Sequence, residues 1–413
     1  MDQLKLELPT FVAAASWLRH DRQRSRGDAL SEPSFPRSAF RVLLVTEPSG
    51  GGSGRHVIDL ARELTALGHS VSVVYSPARA EPMFLRELER LSLCAVEAIP
   101  MRRAVGPWDV RAAWTLRRLI DRLGPFDVIH GHSSKAGALV RLVAPRGAAR
   151  VYTPHAFRTM DPELKPWLGW IYGGAEWALA SLTDCALVGS EQEHEEALRL
   201  GLRSNAVRRI VFGLAEGPQV SRLEARNRIG LGDQDVVVGF VGRLTHQKAP
   251  ERIIEAVAGS RHRELRLVIA GDGDQSGQLR TLIHQRGLTG RVIMLGWADG
   301  RAVMPAFDLL AVPSRYESLG YVYIEALAAR VPVLASPTGL APGLYADGRL
   351  GYLVEEGSDQ AAWTAALDIC IDRIATGFEI RDEDCKAFSI AAMGHDVVEA
   401  YADVTACLRT TRT

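Results

Sequence analysis

The sequence is poor in cysteine and in long apolar runs. Its 413 residues contain five cysteines that are widely spaced and form no CxxC pair. This argues against a disulfide framework and a zinc ribbon and fits a reducing cytosol. No apolar run reaches the roughly 18–20 residues of a membrane-spanning helix, and the nearest, 169–182, is interrupted by Glu176. The N-terminus begins acidic and lacks a long apolar centre, so we expect no signal peptide.

The sequence also lacks an excess of charge of either sign. Lys plus Arg and Asp plus Glu number 49 each, so the net charge gives no indication of nucleic acid binding. The segment 101–150 is nevertheless locally basic and contains Trp108 and Trp114. Two interpretations of this segment stay open: a solvated helix face, or a face that contacts anionic lipid.

Apolar strand patterns alternate with helical patterns through most of the chain. FRVLLVTE (40–47) is a continuous apolar run, and it is followed by the glycine loop PSGGGSG (48–54), a helical pattern and the strand HSVSVVYS (69–76). This is the order of a Rossmann-like βαβ unit. The alternation begins again at VVVGFVGRL (236–244). We therefore predict an α/β protein of two Rossmann-like domains facing a central cleft, with ligands beyond the carboxyl ends of the strands.

The predicted domain organisation has four segments. Residues 1–39, of which 21–39 are rich in Arg, Ser, Pro and Asp, form a flexible leader in which 9–20 can be a short helix. Two Rossmann-like domains follow, one over 40–212 and one over 213–385. Residues 386–413 form a last helix, and it stays open whether this helix crosses back to the N-terminal domain.

Arg243 and Lys248 form a candidate anion pocket. They follow the predicted end of a strand, five residues apart, and Pro250 can begin a helix. A planar guanidinium, a compact ammonium and a helix N-terminus together suit a diphosphate. The alternative is a pair of solvated surface cations.

Two glutamates lie at either side of a predicted helix start in RYESLGYVYIEALAAR (315–330). Eight residues of helix cover at most roughly 12 Å, which is about the length of a nucleotide sugar from hexose to ribose. We predict that Glu317 binds hexose hydroxyls, that the amides of Leu319 and Gly320 bind phosphate and that Glu325 binds ribose. The alternative is that Glu317 caps the helix and Glu325 pairs with a neighbouring cation.

Together these motifs resemble the retaining glycosyltransferases of family 4, which have the two-domain GT-B architecture. ESLGYVYIE resembles the E-x7-E motif of that family, and VGRLTHQK resembles its Gly-Arg…Lys diphosphate loop. LVIAGDG is similar to its second-domain strand and turn, and GGGSGRHVIDLARELTALGHSV to its N-terminal glycine loop and first helix. DVIHGHSSKAGALVRL and VYTPHAF resemble the subgroup that builds exopolysaccharides and other surface glycans.

The resemblance implies a retaining transfer of a sugar from a nucleoside diphosphate sugar to a glycan or polyprenyl-linked acceptor. The N-terminal domain would bind the acceptor and the C-terminal domain the donor. The acceptor would attack from the front face, and the leaving phosphate would help to take its proton. No DxD motif lies at a strand end, and we expect neither a metal nor a cofactor. The expected location is the cytoplasm, with peripheral contact at the inner face of the cell membrane as a further expectation.

The resemblance also implies roles for individual residues. His155 would lie near the reactive carbon of the sugar, Arg243 and Lys248 would neutralise the leaving diphosphate, and Glu317 would hold the hexose. The implied donor-binding residues are Gly51, Gly52, Gly242, Gly271, Leu319, Gly320 and Glu325. Separately, we treat three residues of the IHGHSSK segment as candidate acceptor contacts: His132, Ser133 and Lys135. The histidine can equally be a hydrogen-bonded structural residue.

Some features depart from the family or leave alternatives open. VFGLAEG (211–217) lacks the Asn and Asp of the inter-domain NG-(V/I)-D motif, and TGLAPG (338–343) lacks the glutamate of GG-x-x-E. A nucleotide-sugar 2-epimerase and an inactive scaffold that binds a sugar nucleotide remain as alternatives, whereas no lysine has the context of a pyridoxal-binding phosphorylase. Four further aromatic residues are more typical of core or interface positions than of a sugar platform, and the alternative that they border an acceptor groove stays open: Trp167, Trp170, Tyr172 and Trp177.

Overall fold

The computed structural model describes residues 39–102, 104–214, 220–374, 376–386 and 388–410. Within these residues the chain forms two parallel sheets, of seven and six strands, each packed between helices. The predicted leader, except Ala39, and the end of the VFGLAEG segment lie outside the described residues. Among the described helices, none has the length and apolar character that crossing a membrane requires.

The first sheet has the strand order β3-β2-β1-β4-β5-β6-β7. Its strands are β1 (Arg41–Thr46), β2 (Ser70–Tyr75), β3 (Ala95–Ala98), β4 (Val128–His132), β5 (Ala149–Thr153), β6 (Cys185–Val188) and β7 (Val207–Arg209). The direction of winding reverses between β1 and β4, so a crevice opens at their carboxyl ends. The sequence predicts the five inner strands correctly. It misses the edge strands β3 and β7, which are short and partly exposed.

Helices cover both faces of this sheet. They are α1 (Gly51–Ala66), α2 (Pro82–Glu89), α3 (Trp108–Leu123), α4 (Ser134–Val143), α5 (Pro166–Ala180) and α6 (Glu191–Arg199). Successive residues of β1 point to opposite faces. Leu44 belongs to the core under α1 and α2, and Leu43 to the core under α3 and α4.

The second sheet has the strand order β10-β9-β8-β11-β12-β13. Its strands are β8 (Val237–Val241), β9 (Arg266–Ala270), β10 (Val292–Gly296), β11 (Leu309–Val312), β12 (Val333–Ala335) and β13 (Gly351–Leu353). The sequence predicts all six. The remaining helices are α7 (Arg222–Arg228), α8 (Pro250–Gly259), α9 (Ser276–Gln285), α10 (Gly300–Val303), α11 (Tyr321–Ala328), α12 (Ala341–Tyr345), α13 (Gln360–Ile374), α14 (Asp382–Lys386) and α15 (Ile390–Thr410).

The predicted glycine loop 48–54 is partly wrong, because α1 already begins at Gly51. The amide of Gly54 donates to the carbonyl of Gly50 at 3.1 Å, which closes the first turn. The amide of Gly51 donates to the Glu81 carboxylate at 3.1 Å. Because glycine is a weak helix former, the sequence pattern does not predict a helix that begins at Gly51. The two contacts stabilise this start in the folded chain.

The last helix, α15, packs against α1 of the first domain. The Tyr401 hydroxyl forms a 2.7 Å hydrogen bond with Nδ1 of His130, and Asp403 pairs with Arg208. Tyr401 is fully buried in this contact. The last helix therefore packs against the N-terminal domain and contacts residues of its sheet.

Candidate active site

A cleft of about 1350 Å³ lies between the two domains, at the carboxyl ends of β1, β4, β5, β8, β9 and β11. Nearly all of the residues predicted for the site line it, from both sides: Gly51, Gly52, Ser133, Lys135, His155, Gly242, Arg243, Lys248, Gly271, Glu317, Leu319, Gly320 and Glu325. The exception is His132, which does not line the cleft. The fold therefore gathers residues that lie far apart in the sequence, from the start of α1 to the middle of α11.

Lys248 and Glu317 form an ion pair on the second-domain wall. Nζ of Lys248 lies 2.5 Å from Oε1 of Glu317, and the Ser314 hydroxyl donates to the same oxygen at 2.7 Å. Glu317 is only 5% exposed. These two donors satisfy a carboxylate that is largely removed from water. The cation expected at the diphosphate and the carboxylate expected at the hexose thus contact each other in this structure.

Gly320 is the residue from which α11 starts. It has φ of +80°, and a Cβ at this position would lie 2.5 Å from the ring of Tyr323, so a larger residue would be both strained and obstructed. No side chain caps α11 at Gly320. Among the described residues, the donors to the Glu317 carboxylate are Lys248 and Ser314 and none is an amide of α11, so the alternative in which Glu317 caps this helix is wrong.

Glu325 lies one turn into α11, between cations of both domains. Burial raises the pKa of its carboxyl group, and the positive charges of Arg301 and Arg55 act in the opposite direction. Arg55 belongs to α1 and Arg301 to α10. Neither arginine was predicted for the site, because each becomes a neighbour of Glu325 only in the folded chain.

Gly242 and Gly271 bring the ends of β8 and β9 into close contact. A Cβ on Gly271 would lie 1.9 Å from the carbonyl oxygen of Gly242, which no side chain could tolerate. The amide of Gly242 donates to the carbonyl of Ala270 at 3.0 Å. The two glycines shape the cleft floor beside exposed Arg243, which lines the same wall.

Histidines form the wall on the first-domain side. His155 follows β5 with φ of +53°, and its Nε2 lies 3.3 Å from Nδ1 of His132. Burial lowers the pKa of His155 and of His130 to about 3, and it lowers the pKa of His56 and His132 well below the ordinary value. These four imidazoles are therefore neutral at pH 7.

The structure corrects the prediction that His132 contacts the acceptor. His132 is fully buried and lies behind His155, away from the cleft surface. Lys135 does reach the cleft, but its ammonium is 2.7 Å from the carboxylate of Asp109 and 2.7 Å from the carbonyl of Ala104. Ser133 lines the cleft at the start of α4, and its contact with an acceptor stays a prediction.

Two side-chain groups among the described residues have the composition of a metal site. In the first, nitrogens of His56, His132 and His155 lie within 4.8 Å of one another, and in the second, His395, Asp396 and Glu399 are exposed. Neutral imidazoles are ligands that zinc and similar ions accept. The first group lies behind the predicted reactive centre, so an ion there would engage His155 itself.

Contacts between the domains involve residues that sequence patterns do not single out. Glu193 is fully buried and accepts from the amide of Ala156 at 2.7 Å, from the amide of Gly189 at 2.8 Å and from the Ser318 hydroxyl at 2.8 Å. It thus joins the loop of His155 to the loop of Glu317. In sequence, Glu193 follows Ser190 as in a helix capping box, a pattern that predicts only a local role.

A second contact between the domains joins α1 to α11. Nδ1 of His56 forms a 2.7 Å hydrogen bond with the Tyr321 hydroxyl. A Cβ on Gly52 would lie 3.2 Å from the Tyr321 ring. The glycines at the start of α1 therefore let the two helices meet across the cleft.

Comparison with known proteins gives two family matches and a shared fold. The family model for glycosyl transferases of group 1 matches residues 221–376, and the glycosyl transferase 4-like domain matches residues 51–213. HepE from Anabaena, solved with UDP and glucose, superposes with a TM-score of 0.74 at 22% identity over 88% of this chain and 100% of that chain. Sucrose-phosphate synthase from Thermosynechococcus elongatus gives a TM-score of 0.73 at 19% identity, over 89% and 100%. The predicted GT-B fold is confirmed.

Three curated relatives align with much of the chain. An uncharacterised protein of the cps region of Klebsiella pneumoniae is 30% identical over 55% of this chain and 65% of its own length. A D-inositol 3-phosphate glycosyltransferase from Stackebrandtia nassauensis is 28% identical over 92% of this chain and 95% of its own length. The putative glycosyltransferase EpsD of Bacillus subtilis is 28% identical over 66% of this chain and 74% of its own length.

Proposed function

Because the chain belongs to the glycosyltransferases of group 1 and family 4 type, with GT-B architecture, we propose that it moves a sugar from a nucleoside diphosphate sugar to a glycan or polyprenyl-linked acceptor. We further propose that the anomeric configuration is retained. The observation that carries the proposal is the Lys248–Glu317 pair, which lies beside Arg243 in the cleft.

In this proposal the second domain holds the donor. Arg243, Lys248 and the amides at the start of α11 bind the diphosphate, and Glu317 exchanges its contact with Lys248 for hexose hydroxyls. Glu325, held between Arg55 and Arg301, accepts from the ribose. HepE, which has the same fold, was solved with UDP and glucose, and this supports a nucleotide sugar as the donor class.

The proposed reaction breaks the bond between the anomeric carbon and the donor phosphate oxygen. An acceptor hydroxyl forms the new bond on the same face, and its proton passes to the leaving phosphate. Arg243 and Lys248 stabilise the negative charge that develops on the leaving group, which gives the reaction a source of positive charge without a metal. His155, as a neutral imidazole, lines the acceptor side of the reacting carbon and adds no competing charge.

We place the reaction in the cytoplasm, in the synthesis of an exopolysaccharide or another surface glycan, with peripheral contact at the inner face of the cell membrane. Support for the pathway class comes from EpsD and from the relative encoded in a cps region. A lipid-linked acceptor would bring the enzyme to that face.

The test is release of nucleoside diphosphate from UDP-, GDP- and ADP-sugars, with and without an acceptor, in the presence of EDTA. Free hexoses and polyprenyl diphosphate sugars serve as acceptors, and NMR of the product gives the anomeric configuration. We expect acceptor-dependent release that EDTA does not abolish, with a retained anomer. Conversion of the donor without acceptor would favour the epimerase, and donor binding without turnover would favour the inactive scaffold.

A further inference from the structure

Helix α5 exposes its apolar side chains and buries a charged one. Trp167, Trp170, Ile171 and Trp177 are 60%, 84%, 57% and 70% exposed. Their spacing of three, one and six residues puts them on one side of the helix. A core position, one half of the sequence-based expectation, is therefore wrong for the three tryptophans, whereas a position at an interface agrees with their exposure.

A buried ion pair fixes the rotation of α5 that presents these side chains. Glu176 is 8% exposed, and its carboxylate accepts from Arg141 of α4 at 2.9 Å and from the Tyr152 hydroxyl of β5 at 3.0 Å. Arg141 is itself fully buried. Burying two charges is costly, and exposing three indoles adds to that cost. If the helix only covered the sheet, we would expect it to bury its apolar side chains and to expose its charged ones.

The neighbouring helix α3 adds a second aromatic strip. α3 packs beside α4, and α4 packs beside α5, on the same side of the first sheet. Trp108 and Trp114 of this strip are 36% and 57% exposed. The guanidinium of Arg102 lies 5.0 Å from the Trp108 ring, and that of Arg118 lies 4.0 Å from the Trp114 ring. We call the six residues Trp108, Trp114, Trp167, Trp170, Ile171 and Trp177 the aromatic face.

The charge around the aromatic face is positive. Exposed cations on or beside these helices are Arg102, Arg111, Arg118, Arg146 and Lys165. Two further exposed arginines are in ion pairs, Arg117 with Asp121 and Arg122 with Glu97. The exposed carboxylates there have partners: Asp121 pairs with Arg117, and Glu163 with Arg315 of the second domain. Helix α6, which carries exposed Glu191 and Glu195, marks the limit of the basic region.

The cleft opens beside the aromatic face. Leu142 of α4 and Tyr172 of α5 belong to its wall, together with Val105 just before α3. Leu142 and Val105 are also largely exposed. Exposed apolar residues of the cleft wall therefore lie next to the helices that carry the aromatic face.

We propose that the aromatic face docks on an anionic phospholipid surface. The indole rings enter the interfacial layer, where an amphipathic ring is favoured, and the surrounding arginines contact the headgroups. The favoured occupant is lipid, because arginines lie over both indoles of α3, exposed Lys165 precedes α5, and the cleft reaches the face. This inference names the surface for the membrane contact of the proposed function. Lipid binding is measured without donor or acceptor, so its failure would leave the proposed transfer intact.

Co-sedimentation of the full chain with vesicles tests the proposal. We expect binding to vesicles of phosphatidylcholine with phosphatidylglycerol, weaker binding to phosphatidylcholine alone, and loss of binding at high salt. The triple variant Trp167→Ser/Trp170→Ser/Ile171→Ser should bind the anionic vesicles at least about tenfold more weakly, because it removes three large apolar groups. Leu223→Ser is the matched control, since Leu223 is 59% exposed on α7 of the second domain, and it should bind as wild type does.

The proposal would be overturned if the wild-type chain did not bind anionic vesicles, or if the triple variant bound them equally well. A wild-type dimer that the triple substitution dissociates, with no vesicle binding, would also overturn it and would assign the face to a second copy. The melting temperature of the triple variant checks its folding. If the triple variant does not fold, the single variant Trp170→Ser replaces it. We then expect the indole emission of the wild type to shift to the blue on vesicles, and Trp170→Ser to show a smaller shift.

Discussion

The ammonium of Lys248 contacts the carboxylate of Glu317 at 2.5 Å, and the hydroxyl of Ser314 contacts the same oxygen. The two charges that the proposed reaction assigns to neighbouring parts of the donor, the diphosphate and the hexose, thus neutralise each other in this structure. A diphosphate must compete with Glu317 for Lys248, and hexose hydroxyls must replace Lys248 at Glu317. Donor binding and the release of this pair are therefore coupled.

Glu317→Gln should separate nucleotide binding from transfer. The amide keeps the shape of the side chain but removes the charge that holds Lys248. We expect the nucleoside diphosphate to bind at least as tightly as to wild type, because the full charge of Lys248 becomes available, while transfer falls about 100-fold or more. Calorimetry with the nucleoside diphosphate and initial rates give the two readouts. Equal losses of binding and rate would contradict the coupling.

Glu193→Gln should lower kcat more than it changes the donor KM. Glu193 accepts from Ala156 beside His155 and from Ser318 beside Glu317, and the amide retains only one accepting oxygen. We expect a stability loss of about 1–3 kcal/mol from the unpaired buried groups. Steady-state kinetics and urea unfolding measure both effects. Glu195→Gln, an exposed change on the same helix, should behave as wild type.

Stability should fall as pH decreases below the ordinary histidine pKa. Burial holds the pKa of His130 and His155 at about 3, so between about pH 6.5 and 3 the unfolded chain binds protons that the folded chain does not. Each such histidine lowers the unfolding free energy by up to about 1.4 kcal/mol per pH unit in that window, and above it the effect is absent. The carboxyl of Glu193, whose pKa burial raises, acts in the opposite direction.

Unfolding by urea at pH 7.5 and at pH 5.5 tests whether the unfolding free energy falls as the pH is lowered. The unfolding free energy of His130→Gln should change less between these two pH values than that of the wild type, whatever the stability of the variant at pH 7.5. An exposed histidine provides the control, and His284→Gln should retain the wild-type slope. The prediction fails if His130→Gln keeps the full slope.

Arg226→Met should destabilise the second domain. The guanidinium is fully buried, lies 2.8 Å from Asp308 and donates to the carbonyls of Ala306, Gly232 and Asp233. Its removal leaves these carbonyls unpaired, while Asp308 keeps Arg222 and the amide of Val237 as partners. A loss of about 3 kcal/mol follows from the unpaired groups. Urea unfolding measures it. Arg228→Met, which removes an exposed pair with Glu224, should cost less than about 1 kcal/mol.

Much of the fold could be predicted from the sequence because inner parallel strands are buried on both faces and therefore apolar throughout. The edge strands β3 and β7 lack that signal, since one of their sides is exposed. The start of α1 was missed because its glycines disfavour a helix, and contacts with Gly50 and Glu81 support it.

The candidate site was predictable where a residue lies within a few positions of a strand end, as His155, Arg243 and Glu317 do. It was not predictable where contacts cross the cleft, as at Glu193 and Ser318, because no local pattern encodes them. The prediction that His132 contacts the acceptor failed for a related reason. His155, which follows the next strand, contacts His132 and takes the position at the cleft surface. The exposed tryptophans of α5 were misjudged because apolar residues usually face inward, and only the Arg141–Glu176 pair shows that the helix is turned the other way.

Titration of UDP, GDP and ADP into the wild-type chain and into Lys248→Met, followed by calorimetry, tests the central claim most directly. The account predicts that at least one of these nucleoside diphosphates binds the wild type, and that Lys248→Met weakens this binding about tenfold or more, since a charge-assisted contact to phosphate contributes roughly 1.5–3 kcal/mol. Binding of none of the three, or equal affinity for the variant, would contradict the assignment of this cleft to a nucleotide sugar.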